Sequence, residues 1–487
     1  MSIARVCTRW RSVALDDHDM WTDVDLDTFG HDALALYRVI NRTAPFNVVS
    51  SGWHESLPLF SDDTRAFVLF ITADMSVSTP PSDALSFSKL EDLTITMLFD
   101  GRAPCHVVDY AVILERLLPQ VSPRRLVLSG CRFVWGDKKY ADLTELSITC
   151  GNFTDAGSSS NDVLSVCRMS PGLRSLKLAL RHNYGAQPST QNAARLPLIE
   201  PIAMQFLRSL TLEMPYSDIM YILQSVSLPQ EGLEQLKIAI STEEDSVGDL
   251  QVFLKDLPIP CTFLHISSSL TLLAKVGITG ISGSGRYASN NACSWELHVV
   301  RLGPRLPFIG LVGMLPRMPQ LEELCLAIAP VSASLVPDSD HVAREEALEM
   351  SQPLARPGAA IKRLVLVGFD AKRINVVQQR LLALKSAAAD CVLQELVLTE
   401  TYTMFPWRWN QETLGLILPL GRALADIPSF RKLTLALGDV HSFSRCISRE
   451  DVVQALRDCG IAHVEHDSRA PWLPKVISLV RDDAHWV

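Results

Sequence analysis

The chain holds few groups able to do chemistry, and their spacing decides what they could do. The most enzyme-like stretch is Gly277-Ile278-Thr279-Gly280-Ile281-Ser282-Gly283-Ser284-Gly285-Arg286-Tyr287. A phosphate-binding loop cradles phosphate with backbone amides, reaches it with a lysine and holds Mg²⁺ with a hydroxyl. Here Arg286 and Tyr287 stand where that lysine and hydroxyl would be. The stretch therefore reads as a flexible glycine-serine loop between structural elements. His463-Val464-Glu465-His466-Asp467 groups metal-ligating side chains, but not at the H-E-x-x-H spacing that puts two histidines on one helix face. Its alternation predicts a terminal strand instead. His18 among Asp16, Asp17 and Asp19 reads as a solvated turn, and Glu243-Glu244 and Glu345-Glu346 fall in polar segments. No G-x-S-x-G elbow occurs. The expectation is a binding protein with no catalytic residues, no metal and no cofactor.

Composition bounds the partner. At 487 residues the chain exceeds one compact core, which stops growing near roughly 250–300 residues. It must be several domains or a repeat array. The 47% hydrophobic and 20% charged content belongs to folded proteins. A net charge of −9 gives no basic excess for a phosphate backbone, so no nucleic-acid partner is expected. The apolar runs, such as 306–315 and 66–71, are far shorter than the roughly 20 residues that span a bilayer, so no membrane partner is expected either. The opening residues lack the continuous apolar stretch of a secretion signal. The 11 scattered cysteines contain no CxxC pair and read as reduced core thiols, which predicts a cytoplasmic or nuclear protein.

What must position any site is a repeat. The phrase Leu-x-x-Leu-x-Leu, with Ile or Phe allowed, returns at Leu90-Leu93-Ile95, Leu143-Leu146-Ile148, Leu173-Leu176-Leu178, Leu207-Leu210-Leu212 and Leu233-Leu236-Ile238. It continues at Leu321-Leu324-Leu326, Ile361-Leu364-Leu366, Leu393-Leu396-Leu398 and Phe430-Leu433-Leu435. Partial copies occur at Leu126-Leu128, Phe263-His265-Ile266 and Trp295-Leu297-Val299. The closing Leu-x-Leu has period two, so both leucines face one side of a short strand. One such strand cannot bury its apolar face alone, whereas stacked copies make a parallel sheet over a continuous apolar column. Helical periodicity lies between the copies, over 107–118, 218–226, 249–257, 374–388, 413–425 and 450–459, the last with Gly460 as its terminating glycine. The predicted fold class is α/β, an irregular leucine-rich-repeat solenoid with a curved parallel sheet and helices on the convex side. The copies are mostly about 26–40 residues apart, longer than the common repeat classes.

Residues 1–27 differ in character. Ile3, Val6, Cys7, Trp10, Val13 and Ala14 recur at spacings of three and four and form one helical stripe. The phrase Val6-Cys7-x-x-Trp10-Arg11-x-Val13-Ala14, followed by Met20-Trp21-Thr22-Asp23-Val24-Asp25-Leu26, resembles the second half of an F-box. More narrowly, it resembles the F-box-like proteins multiplied in mushroom-forming fungi. In that family the phrase precedes a helix and a turn, here Leu34 to Asn41 and Arg42 to Val48. The resemblance implies a substrate receptor of a cullin-type ubiquitin ligase, with Val6, Trp10 and Val13 binding the Skp adaptor. The opening F-box helices have no counterpart, which leaves a truncated reading frame or lost adaptor binding, and a scaffold unconnected with ubiquitin as the alternative. Trp10 and Trp21 would otherwise cap the open end of the repeat core. The division expected is a partial F-box-like segment at 1–27, a connecting region at 28–86, the solenoid at 87–468 and a tail at 469–487.

In such a solenoid the outward strand positions line the concave surface, where a protein partner binds. They are Thr94, Thr96, Ser147, Thr149, Lys177, Thr211, Glu213, Lys237, Val365, Val397, Thr399 and Thr434, with Ala239 and Cys325 between them. The row is mostly small and neutral, which suits a flat or peptide-like ligand. The polar stretch 330–357 is a second candidate.

Overall fold

In a computed structural model of the chain, each described Leu-x-x-Leu-x-Leu phrase runs into a short strand, and at 90, 143, 173, 207 and 430 a tight turn precedes it. The structure describes residues 16–17, 21–41, 44–52, 57–72, 87–98, 123–129, 140–150, 160–180, 200–229, 231–242, 263–271, 276–286, 292–302, 321–328, 361–367, 374–379, 392–399, 411–436 and 449–466. They fall into two units, Met1–Gln235 and Leu236–Val487. In both, a mostly parallel sheet is interleaved with helices, an α/β arrangement.

The first unit contains β1 (Asp23–Asp25), β2 (Phe46–Ser51), β3 (Thr64–Thr72), β4 (Asp92–Leu98), β5 (Arg125–Ser129), β6 (Glu145–Cys150) and β7 (Ser175–Leu180). The short β8 (Ile202–Ala203), β9 (Ser209–Pro215) and β10 (Val226–Ser227) follow. Each strand from β1 to β7 pairs in parallel with the next, and β7 pairs with β9. β8 and β10 form a separate parallel pair. The register sets Val24, Val48, Phe67, Leu93, Leu126, Leu146, Leu176 and Leu210 in one row, none more than 2% exposed. Leu69, Ile95, Leu128, Ile148, Leu178 and Leu212 form the second buried row. Burying each such side chain contributes about 1.5–3 kcal/mol before entropy is counted.

The turn explains why the phrase recurs. The leading leucine is buried, and its N–H donates to the carbonyl three residues back: Leu90 to Phe87, Leu173 to Ser170 and Leu207 to Met204. The next two amides then share one carbonyl of the preceding copy. Arg174 and Ser175 donate to the Thr144 carbonyl at 2.7 and 3.1 Å, and Arg208 and Ser209 donate to the Arg174 carbonyl at 2.7 and 3.0 Å. Each turn thus satisfies its backbone donors on the copy before it, as buried amides require.

Helices α1 (His31–Ile40), α2 (Ser160–Met169), which the periodicity did not single out, and α3 (Tyr216–Ser225) accompany these strands. Leu34 and Tyr37 of α1 point inward, and Trp21 meets Tyr37 edge-on with ring centroids 5.0 Å apart. Buried Asn41 ends the helix, donating to the Trp21 carbonyl at 3.3 Å and accepting from the Ala44 amide at 3.0 Å. Trp21, Val24 and Leu26 therefore occupy the three positions of a repeat phrase, with tryptophan for the leading leucine. Among the described residues the parallel ladder thus already includes β1, inside the segment read as F-box-like, and β2 and β3, in the region 28–86 read as a connection. Val24, Val48 and Phe67 fill the interior without being leucines, which hid these copies.

In the second unit β11 (Gln235–Thr242) starts at the boundary and pairs with β14 (Ala292–Leu302). β12 (Phe263–Thr271), β13 (Val276–Arg286) and β14 form an antiparallel meander. β12 also pairs in parallel with β15 (Glu323–Ile328), and β16 (Arg363–Val367), β17 (Glu395–Thr399), β18 (Lys432–Ala436) and β19 (His463–His466) follow in parallel order. Leu324, Leu364, Leu396, Leu433 and Val464 form one buried row. Leu326, Leu366, Leu398 and Leu435 form the other.

The glycine-serine stretch is corrected here: it is the strand β13, not a loop. Its backbone pairs with β12 on one side and β14 on the other, so its amides are not gathered into a phosphate cradle. Leu264 and Ile266, rather than Phe263 and His265, align with Leu324 and Leu326. Trp295 to Val299 lies in β14, antiparallel to β13 and also paired with β11. His463 to His466 is the expected terminal strand, and His463 and Glu465 alternate with buried Val464. α4 (Gln411–Ala425) and α5 (Arg449–Asp458) are close to the expected spans, and 374–379 is helical, the rest of the helix expected to 388 lying outside the described residues. The helices expected at 107–118 and 249–257 lie outside the described residues, as does 330–357.

Gly460 ends α5 with φ 98°, its amide donating to the Arg457 carbonyl at 2.8 Å. Only glycine enters that region without strain, and a Cβ there would meet Ala425 Cβ at 3.4 Å. Gly460→Ala is expected to cost about 1 kcal/mol in urea unfolding, with Gly460→Asn costing less because asparagine tolerates the left-handed region.

Candidate partner-binding face

The sheet face opposite the leucines differs between the units. In the first, Thr94, Thr96, Ser147 and Thr149 are half-buried, Lys177 is exposed and Glu213 is half-buried. Val127 and Ser129 join them on β5, and Val68 and Phe70 on β3, also half-buried. These four were not singled out because their strands carry a partial phrase or none. Their alternation with Leu126-Leu128 and Phe67-Leu69 would have found them. Register places Val68, Thr94, Val127, Ser147 and Lys177 side by side across β3 to β7.

At Thr211 in the first unit, and at several positions of β15 to β18 in the second, outward side chains are buried. Thr211 is 7% exposed, Val365 2%, Val397 0% and Thr434 5%, so these four expected contact residues are not surface positions. Cys325, Val365, Val367 and Val397 form a buried cluster of their own. The physical reason is visible in Arg363-Leu-Val-Leu-Val367: continuous apolar runs mark strands covered on both faces, unlike the alternating Glu145-Leu-Ser-Ile-Thr149. Lys237 is half-buried. The side chain of Thr399 lies outside the described residues, as do Val6, Trp10 and Val13.

At the start of the strands in the second unit runs a ladder of alternating charge. Glu323, Arg363, Glu395 and Lys432 are register neighbours. Arg363 Nη1 donates to Glu323 Oε1 at 2.9 Å and its Nε lies 3.1 Å from Glu395 Oε2. Lys432 Nζ reaches Glu395 at 3.7 Å and Glu465 at 2.5 Å. Burial raises the Glu323 carboxyl above its ordinary range, against the pull of Arg363 and with the push of Glu395. The hydrogen bond to Glu465 raises Lys432. Such cross-strand pairs of opposite charge fix register rather than present chemistry. Buried Cys167 is pushed up to about 12 and buried Cys325 is raised as well, both by loss of solvent, so neither thiol ionises near neutrality.

Among the described residues no group of three His, Cys, Asp or Glu side chains could hold a metal ion, and no helix is long and apolar enough to cross a membrane. No family model matches the chain. No curated protein matches it. Among solved structures it is similar to InlP of Listeria monocytogenes, with 13% identity over 60% of this chain and 94% of that one, at a TM-score of 0.23. At that score the likeness carries no argument, and the register and burial of the chain's own residues carry the functional reading.

Proposed function

We propose that the chain is a non-enzymatic leucine-rich-repeat protein that holds a protein partner on the outward face of β3 to β7. The observation that carries this is the register-aligned row Val68, Thr94, Val127, Ser147 and Lys177, open to solvent in part or whole above a fully buried leucine row. Short neutral side chains on a rigid sheet lose little entropy when covered, and their hydroxyls both donate and accept hydrogen bonds. The finer reading, a substrate receptor that recruits a cullin ligase through the Skp adaptor, is supported by the resemblance of residues 6–26 alone. The packing of Trp21, Val24 and Leu26 into the ladder favours a structural role for the later part of that phrase.

Two experiments test the two levels. Ser147→Arg with Thr149→Arg places bulk and charge on the face. It is expected to abolish capture of the native partner from cell extract while leaving the unfolding midpoint unchanged. Capture that survives would overturn the face as the binding site. For the adaptor, purified Skp protein should be retained by the full chain and lost with Trp10→Ala; a folded chain that retains none removes the ligase role and leaves the scaffold.

A further inference from the structure

We propose that the apolar edge of α1 formed by Leu36 and Ile40, with Val39 beside it, is a docking site for the chain's own opening stripe, residues 3–14, which lie outside the described residues. The inference does not rest on the partner face of β3 to β7. Leu36 and Val39 are 45% and 60% exposed, two of the three large apolar side chains left exposed among the described residues. Ile40, one turn beyond Leu36, is half-buried. Residues two apart on a helix lie about 200° apart, so Arg38 is on the opposite side of α1 from Leu36 and Ile40. Arg38 Nη1 donates to the Leu59 carbonyl, in the segment between β2 and β3. The Arg38 side therefore meets the following copy, and the Leu36 and Ile40 side looks back toward the chain that precedes β1.

Connection selects the occupant. Trp21 packs on Tyr37 and its carbonyl accepts from Asn41, so the chain enters the ladder beside the last turn of α1. Asp16 is helical and Asp17 is not. The steps from Ala14 to Trp21 reach at most about 25 Å, whereas a helix with its side chains is only about 10–12 Å across. Residues 3–14 as a helix are about 18 Å long, against about 15 Å for α1. The stripe Ile3, Val6, Cys7, Trp10, Val13 and Ala14 is apolar like the edge it would cover. A helix of that length is marginal alone, and a short tether gives it a far higher effective concentration at α1 than a separate molecule has. An adaptor that engages Trp10 and Val13 must displace them from this edge first.

Timed trypsin digestion of the full chain, read by intact mass, tests this, because Arg5 and Arg11 lie within the segment. Cleavage there follows the fraction of time the segment is released. Leu36→Glu is expected to speed cleavage after Arg5 and Arg11 about tenfold, and Leu36→Gln to act in the same direction less strongly. Ala35→Glu, at an exposed position off this edge, should leave the rate unchanged. Trp10→Ala should also speed cleavage after Arg5, and combining it with Leu36→Glu should add nothing further. Hydrogen exchange of the β2 to β4 amides, unchanged in each variant, would show that the ladder stays folded. If Leu36→Glu unfolds it, Leu36→Gln carries the comparison. Rates equal in wild type and the Leu36 variants, whether fast or slow, would overturn the proposal. Protection that falls on dilution would overturn it too, by assigning the edge to a second copy of the chain.

Discussion

Leu146→Ala is expected to lower the unfolding free energy of the first unit by about 2–5 kcal/mol. Leu146 is 0% exposed and sits between Leu126 and Leu176 in the buried row, with Leu143 and Ile148 from its own copy beside it. The sheet backbone on both sides is held by hydrogen bonds, so the space left by three lost carbons cannot collapse and the cavity cost is added to the transfer cost. Because each strand pairs with its sequence neighbours, the damage should spread along β5 to β7 first. Hydrogen exchange would show this as faster exchange of the Leu126, Ile148 and Leu176 amides ahead of global unfolding. Leu146→Met, which keeps the volume, should cost under about 1.5 kcal/mol.

Arg363→Ala is the second large effect, expected to cost about 2 kcal/mol at pH 7. The figure lies between an exposed pair, at most about 1 kcal/mol, and a fully buried one, about 3–5 kcal/mol, because the side chains of Arg363, Glu323 and Glu395 are 24–31% exposed. Without the guanidinium, Glu323 and Glu395 face each other across the vacated position with no cation between them. The pH dependence follows from the raised Glu323 carboxyl. A carboxyl raised on folding supports stability below its unfolded value and withdraws that support as pH rises through the folded value. Removing Arg363 raises it further, so the variant should regain stability between pH 7 and about pH 5. The wild type should change less over the same interval. Urea midpoints at both pH values, with Glu323→Gln added to Arg363→Ala to cancel the slope, decide the matter.

Much of this architecture was legible because leucine at i, i+3 and i+5 has a single efficient use, a turn and a strand stacked on copies of itself. Where other residues do that work the signal vanished: Val24, Val48 and Phe67 hold the same row, and nothing in their types distinguishes them from ordinary strand residues. The β12 to β14 meander was illegible for a different reason. Glycines at 277, 280, 283 and 285 have turn-like local preferences, and only pairing on both sides holds them extended. The face was half legible. Outward positions follow from period two alone, but whether they meet solvent depends on what else packs there. Val365 and Val397 carried that warning in their own apolar type. Lys177 is exposed between Leu176 and Leu178, and Ser147 and Thr149, beside buried Leu146 and Ile148, are partly exposed, as period two implies.

The most direct test of a partner held on the face of β3 to β7 is site-specific photocrosslinking in the cell. A benzophenone amino acid would replace Ser147 on β6, and in a separate variant the exposed Arg168 at the end of α2. The account predicts one discrete protein adduct from position 147, abolished by Thr149→Arg, and no such adduct from position 168. Adducts that are absent at 147, or the same at both positions, would contradict it.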